Sequence, residues 1–169
     1  LNNSFAAAGG AFCASNSSGV ITNCVVERNL VSSTYAGWSV VNSGGGIRIL
    51  GGSWTICDSR INYNVIATSA YDANDGAGGG IHLTDPGTHA IRNCVVAQND
   101  SKLGDGIAIT VWNGPDVTVE NCTLSGNSGQ GVYRGVSGNL AVRNSILWQN
   151  GDDVNGTVTL EYCDVQDGD

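Results

Sequence analysis

A nine-residue motif that occurs six times constrains the fold of this chain more than any other feature. It reads apolar, any, Asn or Asp, Cys or Ser, any, apolar, any, any, Asn, and its last copy is degenerate. The copies lie at 21–29, 56–64, 91–99, 119–127, 142–150 and 160–165, so their first positions are 35, 35, 28, 23 and 18 residues apart. Periods of roughly 20 to 50 residues are typical of stacked repeat architectures, in which each copy is one structural unit.

A second motif, a glycine step followed by apolar, any, apolar, precedes the later copies. Its clear forms are Gly45–Ile49, Gly79–Leu83 and Asp105–Ile109, and its weaker forms are Gly9–Cys13 and Gly131–Arg134. Alternation of this kind predicts short strands, and no window has helical periodicity. Each repeat is therefore predicted to be two or three strands joined by tight bends.

A short alternating strand cannot bury its apolar face alone, but stacked repeats bury it continuously. The pattern therefore predicts one domain over residues 1–169, an all-β solenoid of about six coils, with loop insertions at about 30–44 and 65–78. Parallel strands of successive coils lie about 4.8 Å apart, so equivalent residues form ladders. We expect a ladder at a bend, formed by Asn23, Asp58, Asn93, Asn121 and Asn144, and a small inward ladder, formed by Cys24, Ser59, Cys94, Cys122, Ser145 and Cys163.

The final repeats resemble a known family. Ser145–Trp148 and Glu161–Gln166 are similar to the last coils of right-handed parallel β-helix proteins of the pectate-lyase-like superfamily, in particular its bacterial secreted and surface members. The resemblance covers roughly residues 9–166 and implies a right-handed parallel β-helix. Further sequence normally follows in those relatives, so a chain trimmed from a longer protein stays open. The scaffold serves lyases, hydrolases, epimerases, adhesins and spacers, so the resemblance leaves the function undecided.

Charge excludes two classes of partner. Seven Lys and Arg residues against 15 Asp and Glu residues give a net charge of −8. Nucleic acid and anionic membrane surfaces attract the opposite charge. No apolar run approaches the length needed for membrane insertion. A composition rich in Asn, Ser and Gly, with Lys102 as the single lysine, favours an extracellular or cell-surface protein.

Six cysteines in such a chain raise the question of disulfides. Four of them occupy the inward ladder, and Cys13 matches the inward Ile49 and Leu83. We therefore predict buried thiols that act as small apolar groups, with a bridge between Cys94 and Cys122 left open. Cys57 is predicted to face outward, and the spacings match no zinc site.

The two insertions form the first candidate ligand site. Both follow the last Asn of a motif copy, so they emerge from the same edge of the solenoid. Their aromatic residues Tyr35, Trp38 and Tyr71 suit stacking on sugar rings. Asp72, Asn74 and Asp75 supply oxygen ligands for calcium, the one cofactor that the sequence suggests. An ordinary solvated turn is the alternative.

The outward face of the first strand in each coil forms the second candidate site. Its predicted ladder contains Phe12, Arg48, His82, Ala108 and Tyr133, with Asp85 and Asp105 close by. A guanidinium beside an imidazole suits an acidic sugar, and an ordinary exposed face is the alternative.

No catalytic residue is predicted. The only adjacent carboxyl pair is Asp152 and Asp153, and the motifs that the family resemblance implies for polygalacturonases and lyases are missing. The primary hypothesis is an extracellular, non-catalytic structural or adhesive module. The alternatives are a lyase or glycoside hydrolase acting on acidic polysaccharide, and a glycan-binding module.

Self-association is a further expectation. Neither end of the repeat array carries an amphipathic helix that would cap it, and unpaired strand edges invite partners. If copies stacked end to end, Cys163 would lie on Cys24 and Val165 on Val26 of the next copy. Such a contact would generate filaments, with truncation of a longer chain as the competing explanation.

Overall fold

In a computed structural model of the chain, every strand pairing is parallel, as the repeat pattern predicts. The structure describes residues 4–5, 10–33, 44–68, 78–101, 109–135 and 137–166, and within these residues it contains β-strands and no helix. Strand neighbours within each sheet come from successive repeats. The predicted β-solenoid of about six coils is therefore confirmed.

The strands form three sheets that run along the solenoid. Sheet A contains β1 (Ser4–Phe5), β4 (Leu30–Ser33), β7 (Val65–Thr68) and β10 (Asp100–Ser101). Sheet B contains β2 (Phe12–Thr22), β5 (Ile47–Cys57), β8 (Ile81–Arg92), β11 (Ile109–Trp112), β12 (Asp116–Glu120), β14 (Gln130–Arg134), β15 (Asn139–Arg143), β17 (Asp152–Asn155) and β18 (Thr159–Glu161). Sheet C contains β3 (Val25–Glu27), β6 (Arg60–Asn62), β9 (Val95–Ala97), β13 (Thr123–Ser125), β16 (Ile146–Trp148) and β19 (Asp164–Val165).

Each coil contributes one set of consecutive strands. Coils 1, 2 and 3 are β2–β4, β5–β7 and β8–β10, and coils 4, 5 and 6 are β11–β13, β14–β16 and β17–β19. The single long strand β8 pairs with both β11 and β12 of coil 4. From coil 4 onward the strand is divided in two, and in coil 4 Asn113 and Gly114, which have positive φ, lie between β11 and β12.

The interior is filled by columns of aliphatic side chains that repeat from coil to coil. Ile56, Ile91, Val119 and Val142 form one column in sheet B, and Ile61, Val96, Leu124 and Leu147 form another in sheet C. These side chains are no more than 1% exposed. Burial of each contributes roughly 1.5–3 kcal/mol relative to an exposed position, so the stacked columns are the main source of stability.

The bend before sheet C is made by left-handed residues. Five residues have φ in the left-handed region, from 48° at Asn144 to 55° at Asn121: Asn23, Asp58, Asn93, Asn121 and Asn144. Asn and Asp tolerate this conformation better than other non-glycine residues. In this ladder, Asn93 Nδ2 donates to Asp58 Oδ1 at 3.0 Å and Asn121 Nδ2 donates to Asn93 Oδ1 at 3.4 Å. These side chains are exposed.

A second ladder of asparagines is buried at the bend after sheet C. It consists of Asn29, Asn64, Asn99, Asn127 and Asn150, the last positions of the five complete motif copies. Each Nδ2 donates to Oδ1 of the next coil, at 2.7, 3.0, 3.0 and 2.8 Å in order. We call this set the buried Asn ladder. It pairs buried polar groups that would otherwise be costly to desolvate.

The structure corrects the register that the sequence suggested at two first strands. Phe12 pairs with Ile47 and packs against Trp54 at the core, so it lies inward rather than on the outward ladder. Cys13 pairs with Arg48 and is exposed, so its predicted inward position was wrong. The shift is one residue, which moves side chains to the opposite face of the sheet.

The correction in coil 4 is a shift of two residues. Ile109, not Ile107, pairs with Ile81, so Thr110 takes the position next to His82 that had been assigned to Ala108. A shift of two keeps the same side chains inward because strand side chains alternate with a period of two.

Candidate functional site

The outward row of the first strands brings together several of the predicted ligand-binding residues. In register order the row consists of Cys13, Arg48, His82, Thr110, Tyr133 and Asn155. We call this row, together with the neighbouring Trp112 and Asp85, the first-strand face. Successive members lie on adjacent coils, about 4.8 Å apart.

His82 and Arg48 are neighbours at the centre of this face. The His82 side chain is only 5% exposed although it lies on the outer side of β8. Burial and the positive charge of Arg48 lower the pKa of His82 to about 3, so its imidazole is neutral at pH 7. The Nδ1 atom of His82 has no hydrogen-bond partner among the described residues.

Arg48 carries the positive charge of the face. Burial lowers the pKa of its guanidinium, and the nearby Cys13 and Asp85 side chains act in the opposite direction. An arginine stays protonated at neutral pH in spite of such a shift. The pair therefore offers one fixed cation and one neutral imidazole, rather than two cations.

An aromatic platform lies toward the C-terminal coils of the same face. The rings of Trp112 and Tyr133 are stacked, with centroids 6.0 Å apart and an interplanar angle of 21°. Gly135 makes room for the indole, since a Cβ at that position would lie 2.0 Å from Cε3 of Trp112. Trp112 and Tyr133 are both partly exposed. A stacked aromatic surface of this kind accepts the apolar C–H face of a sugar ring, with polar ring atoms at its edge.

Asp85 and Asn113 mark the border of the face. Both have positive φ, 65° and 61°, at equivalent bends of adjacent coils. Asn113 Nδ2 donates to Asp85 Oδ1 at 2.9 Å. The contact lies next to the position where Thr84 of β8 pairs with Trp112, the last residue of β11. The predicted neighbour Asp105 lies outside the described residues.

The stems of the two insertions lie side by side, since β4 pairs with β7 along its whole length. The candidate residues of the insertions themselves, Tyr35, Trp38, Tyr71, Asp72, Asn74 and Asp75, lie outside the described residues. Sugar stacking and calcium binding by these loops therefore stay predictions. In the part of the chain that the structure describes, no three His, Cys, Asp or Glu side chains are grouped closely enough to hold a metal ion.

The small inward ladder consists of unpaired thiols and hydroxyls. All six cysteines are free, including Cys94 and Cys122 on adjacent coils. Thiols and hydroxyls of this ladder donate the same hydrogen bond, to the carbonyl oxygen two residues earlier. Cys94 Sγ donates to Arg92 O at 3.1 Å, and Ser145 Oγ donates to Arg143 O at 2.7 Å. A hydrogen bond to Cys122, together with burial, raises the pKa of the Cys94 thiol.

Charged side chains stack with alternating sign on the outer side of sheet B. The row contains Arg92, Glu120, Arg143 and Glu161. Arg92 Nε lies 3.5 Å from Glu120 Oε2, and Arg143 Nε lies 2.8 Å from Glu161 Oε2. Exposed pairs of this kind stabilise a protein by at most about 1 kcal/mol, so we assign this row to solubility and register rather than to a site.

Sequence reasoning missed Trp112, which is the largest side chain of the first-strand face. The two-residue shift in coil 4 concealed it, because Trp112 lies beside Thr84, at the end of the outer row, only when Ile109 is aligned with Ile81. The signal that would have revealed it is Gly135, at the adjacent position of the next coil, because a glycine beside an outward tryptophan leaves room for its ring.

No helix among the described residues is long and apolar enough to cross a membrane. No curated protein matches the chain, and no solved structure matches it either. A family model described as a right-handed beta helix region matches residues 1–167. That match covers nearly the whole chain and agrees with the parallel, coil-by-coil pairing of all three sheets. The chain therefore belongs to the right-handed beta helix family.

Proposed function

We propose that this β-helix is an extracellular, non-catalytic adhesive module that binds polysaccharide through its first-strand face. The observation that carries the proposal is the stacked pair of Trp112 and Tyr133, which presents a partly exposed aromatic surface on a rigid sheet. Arg48 lies in coil 2 and Tyr133 in coil 5, so the cation and the platform are separated by roughly 14 Å, three coil spacings. That distance suits an extended glycan of several sugar units.

The test compares two exposed tryptophans on different sheets. We expect affinity electrophoresis against neutral and acidic polysaccharides to detect binding that Trp112→Ala abolishes. Trp148→Ala removes a 42% exposed tryptophan from sheet C and serves as the matched control. Equal affinity of the wild type and Trp112→Ala would contradict the assignment of this face.

The insertion loops are the competing location for the same function. Their aromatics Trp38 and Tyr71 are tested by alanine substitution in the same assay, with circular dichroism to verify the fold. If these variants lose binding while Trp112→Ala retains it, the ligand contacts belong to the loops.

The alternative function is a lyase or glycoside hydrolase that acts on acidic polysaccharide. Arg48 beside the buried His82 favours it, because a guanidinium pairs with a sugar carboxylate and the ring nitrogens of a neutral imidazole can form hydrogen bonds to sugar hydroxyls. Incubation with acidic polysaccharides, followed by detection of new reducing ends and unsaturated sugars, separates the two functions. Product that is lost in His82→Gln would establish the enzyme.

Axial stacking into filaments is proposed as a second form of adhesion. Val158, Leu160 and Val165 of coil 6 are only partly buried, whereas their counterparts in the middle coils are nearly inaccessible. A second copy stacked on coil 6 would bury them. Electron microscopy should then show fibres that disappear in Val165→Asp, and a stable monomer at high concentration would exclude filaments.

A further inference from the structure

Exposed apolar side chains are concentrated on one face of the solenoid. Among the described residues, seven large hydrophobic side chains are exposed, and all but Val20 lie on the outer side of sheet C or on its two flanking bends. These six are Val25, Tyr63, Val95, Ile146, Trp148 and Tyr162. An apolar patch that is gathered on one face, rather than scattered, indicates an interaction surface.

The outer side of sheet C presents two columns of side chains. The first column follows the bend and contains Val25, Arg60, Val95, Thr123, Ile146 and Asp164. The second column lies two residues later and includes Asn62, Ala97, Ser125 and Trp148. Because side chains alternate along a strand, the residues between these columns face the core, as the buried Ile61 and Val96 do.

Each column is complementary to the same column read in the opposite direction along the solenoid. A two-fold rotation about a line parallel to β13 keeps each column in place and reverses the order of the coils. Coil 2 then faces coil 6 of the second copy, coil 3 faces coil 5, and coil 4 faces itself. An interface related by such an axis is isologous, so each contact occurs twice.

Three of the contacts that this rotation creates join complementary side chains. The positive Arg60 faces the negative Asp164, and neither has an ion pair with another described residue. The aliphatic Val95 faces Ile146, which is 46% exposed in the single chain. In the second column the small Ala97 faces the large Trp148, so the indole of one copy packs over the small side chain of the other. At the centre Thr123 faces its own symmetry mate.

We propose that sheet C is a homodimer interface, in which two copies pack face to face about a two-fold axis that runs parallel to β13, midway between the two sheets. Paired sheets pack about 10 Å apart, with side chains interdigitating between them. The paired area is roughly 20 Å by 15 Å, which is small for a specific interface, so we expect a weak dimer that forms at high protein concentration. The first-strand face belongs to sheet B and stays accessible in this arrangement.

A charge swap between Arg60 and Asp164 provides the sharpest test. Sedimentation equilibrium of the full chain up to about 500 μM should show a discrete dimer of the 17.3 kDa chain. Arg60→Asp and Asp164→Arg should each weaken the dimer at least about tenfold, because each places like charges opposite one another. The double variant should return to within about threefold of the wild-type dissociation constant.

A matched valine pair tests the location of the interface. Val95→Asp should abolish the dimer, whereas Val20→Asp, at a more exposed site on sheet B, should leave the dissociation constant unchanged. Circular dichroism verifies that each variant folds. A wild-type chain that stays monomeric throughout the concentration range would overturn the proposal. So would a double charge-swap variant that is no tighter than the single variants.

Discussion

The side-chain amide of Asn150 donates a hydrogen bond to Oδ1 of Asp153 at 2.7 Å, and Asp153 is fully buried. The backbone N–H of Asn150 reaches the same oxygen at 3.4 Å, while Oδ2 accepts the N–H of Gln166 at 2.9 Å. A carboxylate accepts hydrogen bonds and has no N–H to donate. Asp153 is therefore the terminal acceptor of the buried Asn ladder.

The middle of this ladder should be one of the least tolerant positions of the chain. Asn99 Nδ2 donates to Ile61 O at 2.9 Å and Asn99 Oδ1 accepts the backbone N–H of Asn64 at 3.0 Å. Asn99→Ala leaves these buried groups unpaired, so we expect the free energy of unfolding to fall by about 2–4 kcal/mol. Urea denaturation measures it. Asn139→Ala removes an exposed hydrogen bond to Asp116 and should cost less than about 0.5 kcal/mol; similar losses in the two variants would contradict a special role for the ladder.

Acid should destabilise the fold through His82. Its folded pKa of about 3 lies below the usual value near 6.5, so the unfolded chain binds the extra proton between these values. The contribution of His82 to the free energy of unfolding is then fully present above about pH 6.5, and it falls by roughly 1.4 kcal/mol per pH unit below that value. His82→Gln should therefore lose about 2 kcal/mol less than the wild type when urea unfolding is compared at pH 7.5 and pH 5. Protonation of carboxylates affects both proteins alike and cancels in the comparison. Equal losses of stability in the wild type and His82→Gln would therefore refute His82 as the origin of the acid sensitivity.

His89 should contribute to the same acid sensitivity from inside the coil. It is 2% exposed between Trp54 and Val117, and neither ring nitrogen has a hydrogen-bond partner among the described residues. Burial lowers its pKa, so protonation again favours the unfolded chain at low pH. His89→Leu should raise the midpoint of urea unfolding at pH 7.5 and reduce the loss at pH 5. His89→Gln separates the two effects, since it should reduce only the acid loss.

The absence of a side chain at Gly135 should be required for the stacking of Trp112 on Tyr133. A methyl group at this position would lie 2.0 Å from Cε3 of Trp112. Gly135→Ala should therefore displace the indole from Tyr133 and change the near-ultraviolet circular dichroism, while the far-ultraviolet spectrum stays β-rich. Any polysaccharide affinity of this face should fall at the same time, although both aromatic residues are retained. Gly151→Ala, where an added Cβ would lie 2.8 Å from Ser128 O, controls for crowding away from the platform, and an unchanged aromatic signal in Gly135→Ala would oppose the expected displacement.

The inward thiols should be exchangeable with hydroxyls and slow to react. Cys94 occupies a position that is Ser in two other coils, where the hydroxyl donates to the carbonyl two residues earlier. Cys94→Ser should cost on the order of 1–2 kcal/mol or less. Maleimide labelling of the native chain, read by mass spectrometry, should modify the exposed Cys13 well before the buried Cys94 and Cys122. A native mass two protons lighter than six thiols require would indicate a disulfide instead.

The repeat motif predicted the fold because it combines burial and bend chemistry in one unit. Asn at the third position marks a left-handed bend, and the apolar residue at the sixth position marks an inward strand residue, as Val96 and Leu124 are. The last Asn of the motif was also visible, but a buried amide ladder depends on contacts between coils that lie 23 to 35 residues apart in sequence. The stacking role was therefore assigned to Asn23 and its equivalents, and the buried set was overlooked.

The first-strand face was harder to predict because glycine steps locate a strand only approximately. Gly10, not Gly9, lies beside Gly45, and this one-residue difference places Cys13 outside and Phe12 inside. In coil 4 the apolar residues Ile107, Ile109 and Val111 alternate, so two alignments with coil 3 that differ by two residues fit the pattern equally well. Only the pairing with coil 3 decides between them. The strands of sheet C follow bends of constant length, and their register was correspondingly clear.

The buried Asn ladder gives the solenoid an electrical direction. Each of its amides points N–H toward the next coil and its oxygen toward the previous one, so the side-chain dipoles add along the axis. The dipoles of the strands themselves contribute little. The carboxylate of Asp153 lies at the positive end of this array, as anions do at the positive end of an α-helix. The ladder therefore ends in coil 6 on a buried carboxylate that only accepts hydrogen bonds, where every earlier coil offers an amide donor to the next.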